Sequence, residues 1–277
     1  MQFMLIRSDH DPLAPAAANP EAVLDDLLRR LPSPALAVAF APDHEALRLR
    51  LWPGSEAVTS GPFPPGERLP AGFAVFEAPS TAAALEMLRG GPQDADLTLE
   101  LRETGCPGGC AGIEPESLGA SSCYAIILRS DAATEVDAIP AREKLDRLNA
   151  FNAVQAAGGT LLAGDGLKAT ARGARLHVKS GQASVIDGPF AEAKELIAGF
   201  WMVRAASLEA ALDWARTLPY PTGPVVEVEI RRVAALAGPK QPAMLDADLR
   251  MDASLRAEQL DAALRAQLAP QPDWRRP

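Results

Sequence analysis

Alternating apolar and polar positions predict β-strands at two places in the second half of the chain. Residues 175–179 carry apolar side chains at every second position, and residues 225–233 alternate over their whole length. Gly181 follows the first of these runs and predicts a turn into residues 183–186, which would complete a hairpin. This period of two is typical of strands with one buried face.

Other hydrophobic patterns complete the second half. Residues 123–129 form a short apolar run that predicts a buried strand, and residues 200–205 predict another. Residues 140–157 carry apolar side chains at three-residue steps and predict a helix that ends at Gly158; the stripe consists of Leu145, Leu148, Phe151 and Val154. A second helix is predicted from a cap at Ser207 to Arg216. The order is strand, helix, strand pair, helix, strand.

The first half of the chain is a divergent copy of the second half. Asp187-Gly188-Pro189-Phe190 corresponds to Ser60-Gly61-Pro62-Phe63 at an offset of 127 residues, and Ala198 corresponds to Ala71 at the same offset. The first strands align at an offset of 122, which matches Arg7 with Arg129. Collinear similarity of this extent predicts a tandem duplication. The predicted boundaries are 1–103 and 123–236 for the two domains, 104–122 for a linker and 237–277 for a helical tail.

The βαββαβ order of each half is that of a ferredoxin-like domain. Its two helices cover one face of the sheet and leave the other face to be buried elsewhere. Because the second copy is tethered to the first, we expect an α+β fold in which the two sheets pack face to face within one chain. The chain is then expected to be a monomer with an internal pseudo-dimer.

Composition narrows the function classes. The chain has 277 residues, 48% of them hydrophobic, and a net charge of −9, which argues against nucleic acid as a partner. It shows no signal peptide or membrane span, and its three cysteines do not resemble a secreted disulfide framework, so we predict a cytoplasmic protein. The sequence Gly164-Asp165-Gly166 is interpreted as a lone turn, not as a nucleotide fingerprint, and Cys106 and Cys110 as part of an ordinary linker. No cofactor or metal is predicted.

The segment 187–201, with its Asp-Gly-Pro-Phe start, resembles the DGPF branch of the YCII-related family. The resemblance covers residues 123–236 and implies a dimeric α+β-barrel fold with a site in the cleft between sheet and helices. It also implies a functional link to an extracytoplasmic-function sigma factor, as in many members. Enzymatic relatives are thought to use a His–Asp pair, with the histidine near the end of the first strand. Here Ser130 and Asp131 occupy that place without a histidine, while the first copy has His10 but lacks the motif aspartate.

Asp187 is the first candidate for chemistry. A carboxylate at the mouth of a cleft can act as a general acid or base. An aspartate before Gly-Pro is also a good turn former, which bonds its own backbone two residues on, and Ser60 preserves that capacity in the first copy. Both interpretations remain open.

The other candidates are polar residues around this motif. His177 lies on the polar face of its strand and is a candidate for proton transfer, or else an ordinary hydrogen-bonded residue. Arg129 and Arg7 suit the anchoring of an acidic ligand or of a paired carboxylate such as Asp9 or Asp131. Glu192 and Lys194 are either ligand-orienting groups or a solvated face.

Two functions remain open. One is the binding of a small polar metabolite in a barrel cleft, or a regulatory role with a partner. The other is a cofactor-independent lyase or isomerase with Asp187 as its acid–base group.

Overall fold

The computed structural model of the chain describes residues 1–9, 19–31, 34–64, 69–91, 97–105, 122–179, 182–190 and 196–237. In these residues, two halves follow one another with the same order of elements. The first half contains β1 (Gln2–Asp9), α1 (Pro20–Arg30), β2 (Leu36–Phe40), β3 (Ala46–Trp52), β4 (Ser55–Ser60), β5 (Gly72–Glu77), α2 (Thr81–Arg89) and β6 (Leu97–Glu103). The second half contains β7 (Cys123–Arg129), α3 (Arg142–Ala157), β8 (Leu161–Gly166), β9 (Ala174–Lys179), β10 (Gln182–Asp187), β11 (Ile197–Arg204), α4 (Leu208–Thr217) and β12 (Val226–Ala237). The predicted mixture of helices and antiparallel strands is confirmed.

Side-chain caps fix where three of the described helices begin. Asn19 Oδ1 accepts the backbone N–H of Glu21 at 3.1 Å at the start of α1. Ser80 and Ser207 accept backbone N–H groups at the starts of α2 and α4, each at 3.2 Å. Because the first N–H groups of a helix have no partner inside it, such acceptors stabilise the first turn. The predicted cap at Ser207 is confirmed.

Antiparallel pairing orders the strands. In the first half the order is β6-β1-β5-β2, and in the second it is β12-β7-β11-β8. The long strand β12 joins the halves, because its last part, residues 233–237, pairs with β2. At the other end of the series, Thr104 forms a bridge with Leu167, and the N–H of Gly105 donates to the carbonyl of Gly166 at 2.9 Å. The residues after β6 thus contact the end of β8.

Each half also contributes a hairpin to the sheet of the other half. Strand β3 pairs with β12, with Leu49 opposite Val228, and strand β9 pairs with β6, with Leu176 opposite Leu99. The sequence interpretation kept each strand pair in its own half, and this is corrected. The physical reason is burial: Leu176 and Val178 pack into the core under the helices of the first half.

Strand β8 was not predicted. Gly164, Asp165 and Gly166 lie in this strand, paired with β11, so their interpretation as a lone turn is wrong. Strands β8 and β11 approach closely, which explains the glycine at position 199 in β11. A Cβ on Gly199 would lie 2.7 Å from the carbonyl oxygen of Asp165 in β8. A glycine-rich strand lacks the apolar side chains from which strands are predicted.

Three hydrophobic cores hold the layers together. One lies under α1 and α2, a second under α3 and α4, and the third between the two halves. In the third core the Phe73 ring of one half lies 4.8 Å from the Phe200 ring of the other, measured between ring centroids. Among the described residues, no helix is long and apolar enough to cross a membrane. Most of the predicted linker and nearly all of the predicted tail lie outside the described residues, and the domain boundaries remain predictions.

Candidate functional site

Asp187 is the last residue of β10 and lies opposite Ala174. Its side chain is exposed to solvent. The residue two positions on is Pro189, which has no N–H, and the N–H of Phe190 instead donates to Thr170 Oγ1 at 3.4 Å. The local capping bond expected of a turn-forming aspartate is therefore not formed. The acid–base role of Asp187 remains a prediction.

Gly188 and Phe190 of the motif are half-buried and contact other parts of the protein, whereas Pro189 is exposed. A Cβ on Gly188 would lie 1.8 Å from the carbonyl oxygen of Thr170, so only glycine fits this approach. The Phe190 ring lies beneath the guanidinium of Arg175, whose Cζ is 4.0 Å from the ring centroid. Arg175 in turn bonds Glu100 of the first half through Nε at 2.8 Å. The motif thus anchors the β9–β10 hairpin against the opposite half.

The first half contains the same anchor. A Cβ on Gly61 would lie 1.9 Å from the carbonyl oxygen of Asp43, and the N–H of Phe63 donates to Asp43 Oδ2 at 3.1 Å. Arg48 lies over the Phe63 ring at 3.9 Å and bonds Glu229 of the second half at 3.4 Å. Both Gly-Pro-Phe segments therefore have a structural role that needs no aspartate directly before the glycine, where the first half has Ser60.

Arg129 is committed to an internal carboxylate. Its Nη2 donates to Glu229 Oε2 at 2.6 Å, and Glu229 also accepts from Arg231 at 2.9 Å. Burial acts to raise the pKa of the fully buried Glu229, but Arg129 and Arg231 outweigh it and hold that pKa below its usual range. Arg129 is therefore paired with a carboxylate, but the partner is Glu229 and not an aspartate such as Asp131.

Arg7 and Arg129 do not occupy equivalent positions. Leu5 pairs with Ala74, and Ile126 pairs with Trp201, two partners that the 127-residue offset matches. The offset at the first strand is therefore 121 residues, one fewer than predicted. Since successive side chains of a strand alternate, this slip places the two arginines on opposite faces.

On its own face, Arg7 points toward helix α1. Its Nη1 lies 3.2 Å from Asp26 Oδ2, and both side chains are buried. His177 is half-buried, and its Nδ1 lies 3.0 Å from the Thr98 hydroxyl on β6. Glu192 and Lys194 lie outside the described residues. The described candidates are therefore spread over several places and do not form one site.

A cavity of about 70 Å³ lies elsewhere, between α3 and the sheet of the second half. One water occupies roughly 10–15 Å³ on this measure, so the space is that of about five to seven waters. Its lining is mostly apolar and is completed by glycine and a few polar residues: Leu128, Thr134, Ala138, Pro140, Leu148, Asn152, Gly164, Asp165, Gly166, Leu167, Ala198, Gly199, Trp201, Pro221 and Thr222. None of the described candidate residues contributes to it.

Missing side chains create the cavity floor. Gly164 pairs with Trp201, and Gly166 pairs with Gly199, so three glycines lie on the sheet face toward α3. Asp165, between the first two, pairs with Phe200, which belongs to the core between the two halves. The alternation of a strand therefore turns the Asp165 side chain away from α3.

Two polar side chains in the lining have unused hydrogen-bonding atoms. Asn152 on α3 is 5% exposed, and its Oδ1 is buried without a hydrogen-bond partner among the described residues. Thr222 Oγ1 is likewise buried and unpaired there. The Thr134 hydroxyl, by contrast, is engaged with the backbone of Asp131, donating to its carbonyl at 2.9 Å. Because leaving a buried polar group unpaired costs free energy, a polar group placed in the cavity beside Asn152 or Thr222 would gain hydrogen bonds.

Charges near the cavity are already paired with protein groups. Asp131 Oδ2 accepts the N–H of Gly223 at 3.2 Å. Burial acts to raise the pKa of Asp131, but hydrogen bonds from Thr134 and Gly223 outweigh it and lower that pKa. Lys144 donates to the carbonyl of Thr222 at 2.7 Å. In the described part of the chain, no group of acidic, histidine or cysteine residues is arranged to hold a metal ion.

Sequence reasoning missed Asn152, and two signals point to it. Asn152 follows Leu145 and Leu148 at helical spacing, so it is a polar residue on an apolar stripe. Gly164 and Gly166 are two positions apart, the spacing of side chains on one strand face. A polar residue facing a row of glycines indicates a cavity.

Comparisons with known proteins bear on this half of the chain. Residues 123–234 match the model of the YCII-related domain. An uncharacterized curated protein of Rhizobium meliloti (strain 1021) is 42% identical over 65 residues, which make up 24% of this chain and 52% of that protein. The chain thus spans about half the length of the curated relative it matches. The matched segment contains the whole lining of the cavity, and this part of the chain is similar to the YCII-related domain.

Proposed function

We propose that the two halves are a tandem duplication, packed sheet to sheet as an intrachain dimeric α+β barrel of the DGPF branch. Equivalent contacts across the chain support this. Arg102 donates to the carbonyl of Lys168 at 2.5 Å, and Arg231 donates to the carbonyl of Ala41 at 3.0 Å. The Glu–Arg–Phe anchors recur in the same way in the two halves. Shared geometry at several contacts favours a common origin.

The proposed function is the binding of a small metabolite in the cleft under α3. The observation that carries it is the buried Asn152 Oδ1, which lines a mostly apolar cavity and has no partner in the described structure. Ligand pockets are typically apolar with a few placed polar groups, as this one is. A YCII-related domain is consistent with a cleft site between sheet and helix.

A crystallographic fragment screen tests the proposal. Electron density for bound fragments is expected in the cleft, with a polar atom within hydrogen-bonding distance of Asn152. A matched screen of the Asn152→Leu variant is expected to lose those fragments. Fragments bound only elsewhere, or bound equally in both proteins, would contradict this site.

The enzyme alternative, a cofactor-independent lyase or isomerase, places its acid–base group at Asp187. Its exposed carboxylate is accessible to a substrate, which is the observation in its favour. The link to an extracytoplasmic-function sigma factor rests on the resemblance alone. Both remain predictions, and turnover that survives in Asp187→Asn would exclude the first.

A further inference from the structure

We infer that the cleft under α3 takes an uncharged molecule with an apolar body and one hydroxyl or amide group, and that it rejects anions. This inference rests on the proposed function and adds the chemical class of the ligand. It differs from the acidic ligand that the arginines of the sequence suggest, because Arg129 is bonded to Glu229 and Arg7 to Asp26.

The residues that line the cleft favour an apolar body for the ligand. Leu128, Leu148 and Trp201 are buried hydrophobic residues, and the glycine floor adds no polar side chain. Contact with such walls favours a hydrocarbon group, since apolar surface leaves water on binding. The volume, about five to seven waters, suits a body of a few carbon atoms.

The polar groups determine the head of the ligand. Asn152 Oδ1 requires a hydrogen-bond donor, and the Thr222 hydroxyl both donates and accepts. A hydroxyl or amide satisfies both. A carboxylate has no hydrogen atom to donate to Asn152 Oδ1.

The absence of a counter-charge excludes an ionised head. No lysine, arginine or histidine is among the residues lining the described cleft. The nearby Lys144 ammonium is bound to the Thr222 carbonyl from an exposed position. Asp165 belongs to the strand face turned away from α3. An ion that enters must therefore lose its hydration without a partner of opposite charge, which is costly.

Three probes of nearly equal size test the inference: 1-butanol, butyrate and 1-butylamine. Binding is followed by NMR through the indole N–H signals of the four tryptophans, with the Trp201 signal assigned from a Trp201→Phe variant. We expect 1-butanol to shift the Trp201 signal, and the two ions to bind at least about tenfold more weakly. Asn152→Leu is expected to weaken the binding of 1-butanol about fivefold to tenfold, the loss of one hydrogen bond. Gln155→Leu, on the same helix but outside the lining, is the matched control and is expected to bind as wild type does.

The possible results distinguish a wrong ligand class from a wrong binding site. Binding of butyrate or 1-butylamine at least as tight as that of 1-butanol overturns the ligand class while it leaves the cleft as a binding site. Equal affinity of wild type and Asn152→Leu for 1-butanol overturns the assigned role of Asn152. If none of the three probes shifts the Trp201 signal at the highest concentration at which the protein stays folded, the proposed function itself is wrong.

Discussion

Replacing Asn152 with leucine is expected to make the protein more stable while it weakens binding. The amide oxygen is buried without a described partner, and such a group costs about 1–3 kcal/mol. The cleft has room for a few waters, which reduce this cost to about 1 kcal/mol. Leucine has the same branched arrangement of four side-chain heavy atoms and extends the buried stripe of Leu145 and Leu148.

Urea unfolding followed by far-UV circular dichroism measures this difference. The free energy of unfolding of Asn152→Leu should rise by about 1 kcal/mol, and the melting temperature by about 2–4 °C for a chain of this size. Gln155→Leu is the matched comparison, because Gln155 Oε1 accepts the indole N–H of Trp214 at 2.8 Å. Losing that bond should lower the free energy of unfolding by about 1 kcal/mol.

The two substitutions are thus expected to change the free energy of unfolding in opposite directions. A rise for Asn152→Leu and a fall for Gln155→Leu would identify Asn152 as the residue whose amide lacks a partner in the protein. If Asn152→Leu unfolded more easily than wild type by 1 kcal/mol or more, the amide would have a partner in solution. The inference that a ligand completes its hydrogen bonds would then be refuted.

Three further predictions concern the framework of the fold. In urea titrations, Gly188→Ala should lower the free energy of unfolding by about 3 kcal/mol or more, since its Cβ would lie 1.8 Å from a carbonyl oxygen. The control Gly158→Ala, whose Cβ would have its nearest contact at 3.4 Å, should show little change. The lowered pKa of Glu229 means that its contribution to stability is present above its unfolded value of 4.5 and is lost as the pH falls through the folded value. Urea midpoints should therefore fall less steeply below pH 4.5 in Glu229→Gln than in wild type, and parallel acid limbs would contradict the assignment. By light scattering, the full chain should be a monomer of 29.2 kDa and the fragment 121–277 should self-associate; a stable monomeric fragment would contradict the tethered pair.

Periodicity predicted most elements because most of them bury one face. The strands with alternating or continuous apolar residues were found, and α3 lies close to its predicted bounds. The predicted stripe of α3 was wrong at its far end, since Val154 is 52% exposed whereas Asn152 is buried. A helix turns once in 3.6 residues, so a stripe drawn at three-residue steps drifts off the buried face.

The candidate site was less predictable because reactive residue types do not reveal their partners. Arg129 looks like a ligand anchor in the sequence, but a carboxylate 100 residues away neutralises it. The cavity depends on what Gly164 and Gly166 lack, and strand prediction depends on side chains that are present. The exchange of hairpins between the halves is a long-range choice that local patterns do not encode.

The two halves have different residues at equivalent positions beneath their first helices, α1 and α3. By strand register, Arg7 corresponds to Leu128, and Ala37 and Ala39 correspond to Gly164 and Gly166. In the first half, the Arg7 side chain pairs with buried Asp26 under the helix, and alanine methyl groups cover the strand. In the second half, glycines replace the methyl groups and leucine replaces the arginine, which leaves space beneath α3. The anchors that join the halves are retained in both, and none of their arginine or phenylalanine residues lines this space. Under the proposed duplication, one half serves as the partner sheet, and the other has a cleft free to bind.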